Sequence, residues 1–480
     1  MTATRRLRCQ TTSDRRLEQG LVAIRRELEL PDGFDAMVEG AAEAAVAQAR
    51  WPDLDRSDIP FVTIDPAGAR DLDQALHLER RGTGYRVHYA IADVAAFVRP
   101  GDAIDVEARA RGETLYGADT KIPLHPKALS EDAASLLPNQ LRPALLWSID
   151  LDAGGEITAT DVRRARVKSR AQLDYDGVQA LIDGGRHDPV WGLLREVGEL
   201  RQACEKARGG ISLPLPSQEI SVDEAGKWQL AFRARHPVED WNAQISLLTG
   251  MAAAELMLRH RIGILRTLPS PAAIDIERLR RSASALGVAW PQSLDYPAFI
   301  RSLDPRKPAH VAMMVDATSV LRGAAYVAFD GELPEQGRHS ALAANYAHTT
   351  APLRRLVDRF VGEICVALCA KAPVPDWVRE ALPTLPGLMA QSNRRASAYE
   401  RAVLDLAESV ALSARVGDVF DANVIDVDAR DARRGQVMLR EPAVTARIEA
   451  AQALPLGETV RARLLESDPG TRRTRFVWAV

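Results

Sequence analysis

The stretch "TIDPAGARDLDQALHL", Thr63–Leu78, places three aspartates, Asp65, Asp71 and Asp73, within nine positions. Apolar alternation flanks it on both sides. The preceding "FVTID" reads as a strand, and Pro66 with Gly68 predicts a tight turn after it. Asp71 and Asp73, two residues apart, point the same way if the segment is extended. Three carboxylates held this close repel one another unless a cation lies between them. The competing reading is a solvated acidic turn, since aspartate is common in turns. Gln74 follows directly and contributes an amide where a fourth acid would complete the cluster.

Outward from this turn the pattern continues as a hairpin. "RGTG" at 81–84 reverses the chain, and "GYRVHYAIADV" sets Tyr85, Val87, Tyr89 and Ile91 on one strand face. His88 and Asp93 read as scaffold. Upstream, residues 1–55 read as a small helical region, with Leu17, Leu21 and Ile24 spaced three or four apart. It could be a helix-turn-helix relative. Residues 56–415 mix strand and helix signals. From 416 to 480 about five short strand-like runs separated by turns predict a small β-barrel of the OB type. The expected fold class is α+β, a mixed core with helices before it and a barrel after it.

Composition narrows the function. The chain has 480 residues, 46% hydrophobic and 26% charged, with a formal net charge of −3. There is no global basic field, so a nucleic-acid partner needs a local basic surface. The four cysteines, Cys9, Cys204, Cys365 and Cys369, are too few for a disulfide scaffold and lack zinc-ribbon spacing. Cys365 and Cys369 read as core residues on one helix face. No apolar run approaches the length of a membrane span, and no secretory signal opens the chain. A cytoplasmic monomer with no membrane partner is expected.

Several ordered motifs resemble the ribonuclease II family. "FVTIDPAGARDLDQALHL…GYRVHYAIADV" is similar to its acidic signature and the strand after it. "RARGETLYGADTKIPLHPKALSEDAASLLP", "YAHTTAPLRRLVDR" and "SNRRASAYER" resemble later segments in the family's order. The resemblance covers about 56–415, and the tail looks like the family's appended OB-fold. It implies a hydrolytic exoribonuclease that takes single-stranded RNA by its free 3′ end. Members cut one nucleotide at a time with Mg²⁺ and release nucleoside 5′-monophosphates. Relatives generally carry two cold-shock OB-folds ahead of this region, where only about 55 residues stand here, so a differently built RNA entrance is expected.

The resemblance also implies roles. Asp65, Asp71 and Asp73 fall on three of the four acidic positions, as catalytic metal ligands. Gln74 stands at the fourth, where the family has Asp. An amide oxygen binds a hard cation less well than a carboxylate. Gln74 is therefore expected to ligate weakly, to bond a metal-bound water, or to mark a slowed enzyme, with Mn²⁺ as the alternative to Mg²⁺. Arg354 matches the arginine on the scissile phosphate; its bland alternative is an i,i+4 pair with Asp358. Arg355 is a neighbouring RNA contact or a structural ion pair. Leu356 replaces a family tyrosine. Tyr116 matches the residue that stacks on the 3′-terminal base, and Glu400 matches a glutamate near the terminal ribose. His348 is expected in a structural hydrogen bond rather than on a metal. In the tail, Arg430, Arg433, Arg434 and Arg440 suggest contacts to RNA phosphates. The rival from another class is a weakened or inactive RNA-binding protein on the same scaffold. An unrelated phosphodiester hydrolase is more distant.

Overall fold

The computed structural model describes residues 15–118, 121–185, 189–213, 217–222, 228–233 and 235–479; Cys9 lies outside them. Two helices open it, α1 (Arg15–Glu27) and α2 (Ala36–Ala47). The three apolar residues that predict α1, Leu17, Leu21 and Ile24, are fully or nearly fully buried. α2 starts where the Asp35 side chain accepts the Met37 amide, a standard N-cap. The two helices serve different cores. α1 packs with the chain's longest helix and the C-terminal barrel, whereas Ala42 of α2 packs with the N-terminal barrel.

That first barrel is closed by β1 (Phe61–Asp65), β2 (Gln74–Arg81), β3 (Gly84–Ala92), β4 (Leu141–Leu151) and β5 (Ile157–Asp174), with β5 returning parallel to β1. β2 and β3 pair through Arg81↔Gly84, so the reversal falls on Gly82 and Thr83. Gly82 takes φ +60, as such a two-residue loop requires. β3 is buried on both faces for two reasons. Tyr85, Val87, Tyr89 and Ile91 pack against helices, among them α3 (Pro237–His260) and α4 (Leu356–Cys369). Ala90 and Ala92 turn inward, where alanines from the other strands and Phe61 of β1 fill the barrel. Cys365 is buried in the outer layer with Cys369 against it, as their spacing predicts.

α5 (Leu385–Leu412) leads into the second barrel. There β6 (Val419–Val427), β7 (Arg434–Leu439), β8 (Val444–Glu449), β9 (Thr459–Asp468) and β10 (Arg473–Trp478) close in the order 6-7-8-10-9. Phe476 is fully buried and meets Phe420 edge-on at 5.8 Å. The barrel shares one apolar cluster with α1 and α5, and polar ties such as the Thr445 amide to Glu408 at 3.0 Å add to that burial. Among the described residues no helix is long and apolar enough to cross a membrane.

Candidate active site

The acidic stretch is the β1–β2 connection at one rim of the first barrel. Asp65 is the last residue of β1 and Gln74 the first of β2. The two strands pair only at Val62↔Leu76, so they diverge toward this rim. The Ala69 amide bonds back to the Pro66 carbonyl at 3.0 Å, and Gly68 takes φ +78, the left-handed step of a type II turn. Leu72 is fully buried, and Ser135 ties down the backbone on either side of it: it donates to the Arg70 carbonyl at 2.6 Å and accepts the Leu72 amide at 3.0 Å. With Leu72 anchored inward, the alternation turns Asp71 and Asp73 the other way.

Each acid then meets a definite partner. Asp73 accepts the Leu353 amide at 2.7 Å and Arg354 Nε at 3.2 Å. Asp71 Oδ1 lies 2.7 Å from Lys121 Nζ, which also reaches Glu131 at 3.0 Å. Burial alone would lower the Lys121 ammonium; Asp71 and Glu131 outweigh it and hold it above its ordinary value. The Gln74 amide nitrogen donates to the Thr350 carbonyl at 2.6 Å, and its oxygen accepts the Tyr89 hydroxyl at 2.6 Å. The Gln74 oxygen, expected on the metal, thus already accepts one protein donor and keeps a second lone pair.

Arg354 sits in the turn before α4, not on the helix. The i,i+4 pair with Asp358 therefore does not form. Arg355 takes Asp358 instead, with two bonds of 2.5 and 2.8 Å, while Asp358 also accepts the Ala351 amide. This is the structural ion pair of the two readings of Arg355. The Arg354 side chain remains 44% exposed. Its guanidinium feels Tyr116, Asp73 and Asp71 as charged or polar neighbours. Tyr116 is itself 43% exposed. It pairs across a two-residue ladder with Lys121, and the Thr114 amide binds the Arg354 carbonyl at 2.9 Å. Asp71, Asp73, Arg354 and Tyr116 thus meet in one place.

The remaining candidates fall elsewhere. Glu400 is half-buried on α5. His348 Nδ1 and the Tyr326 hydroxyl share a structural hydrogen bond at 2.6 Å, and burial lowers the His348 pKa. Asp93 holds Arg164 at 2.8 Å as scaffold. In the tail, Arg433 grips Asp431 at 3.0 and 3.2 Å, and Arg434 lies 3.7 Å from the same carboxylate. Arg440 donates to the Arg306 carbonyl at 3.4 Å, and Arg430 is exposed. Acids of the tail itself therefore offset much of its basic character.

The donor set is all oxygen and anionic, the kind a hard divalent cation takes. Of the three aspartates expected on the metal, Asp73 is engaged by the Leu353 amide and Arg354, and Asp65 and Asp71 would hold the ion. Among the described residues, however, no group of three or more His, Cys, Asp or Glu side chains is drawn together as a metal cage. Sequence reasoning missed Lys121, Glu131 and Tyr89. Lys121 stands in the quoted "GADTKIPL", but no period marks it as reaching the acidic turn.

Burial pushes the Asp73 carboxyl up to about 8, against the opposing pull of Arg354 and the Leu353 amide. Its ordinary value in an unfolded chain is about 4. Between those values the folded state holds a proton that the unfolded state lacks, so stability declines as pH rises through the window. In EDTA, the melting temperature is expected to drop more from pH 6 to pH 9 in the parent than in Asp73→Asn. Parallel curves would remove Asp73 as the source.

With the geometry in view, the comparisons decide the family. The RNB domain matches residues 54–370, and the RNase II-type exonuclease C-terminal S1 domain matches 418–479. The chain belongs to the RNB, ribonuclease II-type, family. Ribonuclease R of Escherichia coli (strain K12) is 27% identical over 424 residues, which is 83% of this chain and 51% of that protein. The chain thus spans about half the length of this RNB relative. The fold matches Mycoplasma genitalium RNase R in complex with ribose methylated single-stranded RNA, with a TM-score of 0.86 at 19% identity, covering 97% of this chain and 78% of that one. Yeast Ssd1, a pseudonuclease, shares the fold at a TM-score of 0.72 and 16% identity, over 97% and 59% of the two chains.

Proposed function

We propose that this chain is a hydrolytic 3′-to-5′ exoribonuclease that uses Mg²⁺ on single-stranded RNA and releases nucleoside 5′-monophosphates. The observation that carries the reading is Arg354, a half-exposed guanidinium fixed by Asp73 beside Tyr116 and Asp71, in an RNB chain. Asp73 engages Nε, which orients the two terminal nitrogens as a fork for phosphate oxygens. That fork can stabilise charge that grows on the phosphate in the transition state. Tyr116 offers an exposed ring on which a terminal base can stack without regard to sequence. Glu400 would accept from a ribose 2′-hydroxyl, the group that separates RNA from DNA. Asp65 and Asp71 would hold a divalent cation, which would polarise the phosphate and activate the attacking water.

The second reading, an RNA-binding protein without turnover, draws on Lys121 against Asp71 and on the amide at Gln74. Chromatography of the products from an unstructured RNA with Mg²⁺, and with EDTA as control, separates the two. Metal-dependent nucleoside 5′-monophosphate is the expected product. RNA retained in complex with no mononucleotide would favour the second reading.

A further inference from the structure

The rim of the first barrel carries a cation supplied by the chain itself. Lys121 Nζ is wedged between Asp71 Oδ1 at 2.7 Å and Glu131 Oε1 at 3.0 Å. Its placement is built. Lys121 lies on the ladder opposite Tyr116. Glu131 lies in the short turn Leu129–Ala133, and just past it the Leu136 amide binds the Leu72 carbonyl at 3.0 Å. The segment holding Lys121 is therefore laced to the same backbone that carries Asp71 and Asp73. On the far side of the turn the chain also satisfies Gln74, through Tyr89 and Thr350.

A lysine ammonium is a compact point charge on a flexible four-carbon stem. It can sit where a divalent ion would sit beside Asp71, and it can swing toward Glu131 when such an ion arrives. We propose that Lys121 is a built-in competitor for the divalent cation at Asp71, with Glu131 as the acceptor that holds its ammonium when the metal displaces it. The centre then takes up metal weakly, and the balance between Asp71 and Glu131 sets how weakly. This deepens the reading of the rim as a metal-using centre and rests on it, but its test reads metal and not RNA.

Mn²⁺ alone is titrated into the full chain, and free Mn²⁺ is followed by electron paramagnetic resonance. Lys121→Met is expected to bind Mn²⁺ about ten-fold more tightly or better, since a like charge at close range is removed. The gain should vanish in the double variant with Asp71→Asn. Superimposed isotherms for the parent and Lys121→Met, or a gain that survives without Asp71, would overturn the proposal. If Lys121→Met does not fold, Glu131→Gln gives the answer from the other side: weaker Mn²⁺ binding supports the proposal, and unchanged binding overturns it. A protein that digests RNA yet shows superimposed isotherms retains the proposed function and loses this inference. A protein that releases no mononucleotide while Lys121→Met gains Mn²⁺ does the reverse.

Discussion

Arg354→Ala slows release of the 3′-terminal nucleotide by about 10²–10³-fold, the effect of removing one preorganised charged donor from a developing oxyanion. The structure explains why the loss is not absorbed by a neighbour. Arg355 is committed to Asp358 by two short bonds and cannot turn outward without leaving that buried carboxylate without its charged partner. Lys121 is held between two acids. Arg354→Lys recovers only part of the rate, because an ammonium cannot reproduce the planar fork. The affinity for a non-hydrolysed RNA changes by only a few-fold, since other contacts carry the strand. Single-turnover rates within about three-fold of the parent would take Arg354 out of the chemistry.

Arg359→Ala destabilises the fold by about 3–5 kcal/mol, the range for breaking a buried ion pair on one side. Arg359 and Asp105 face each other at 2.7 Å with both side chains 2% exposed. The guanidinium also donates to the Val98 carbonyl at 3.1 Å and lies over the Trp377 ring at 4.8 Å. Asp105 keeps the Gly101 amide and Arg109 after the change, which softens the loss but leaves a buried carboxylate short of its main partner. Arg359 stands five residues past Arg354, on the first turn of α4, so loosening it also loosens the turn that aims Arg354. Urea unfolding measures the first effect, and a change below about 1 kcal/mol would contradict it. The double variant with Asp105→Leu should recover much of the stability, because a well-packed apolar pair removes the desolvation cost.

What could be read from the sequence was what local rules govern. The turn chemistry of Pro66 and Gly68 and the Gly82–Thr83 reversal gave the β1–β2–β3 order. The three-and-four spacing of Leu17, Leu21 and Ile24 gave α1, and five short runs gave the second barrel. The identity of each acid's partner was not readable, because the partners come from far along the chain. Asp73 meets Leu353 across 280 positions, and Gln74 meets Thr350 across 276. Tyr89 read as one member of an apolar face, and nothing in the period of β3 shows that its hydroxyl caps Gln74. The bland alternative for Arg354 fails for a different reason. Its i,i+4 relation to Asp358 assumes a helix, and α4 begins only at Leu356. In the tail, Asp428 and Asp431 stood among the arginines from the outset. In the short turn each takes a backbone amide two residues on, Arg430 and Arg433 in turn, and Asp431 also holds the Arg433 side chain.

The most direct measurement is a single-turnover digestion of an unstructured RNA labelled at its 5′ end, in Mg²⁺, with products resolved at one-nucleotide steps. A ladder that shortens one nucleotide at a time from the 3′ end is expected, abolished by EDTA and slowed at every step in Arg354→Ala. Internal cuts, or intact RNA at every time point, would contradict the proposed function.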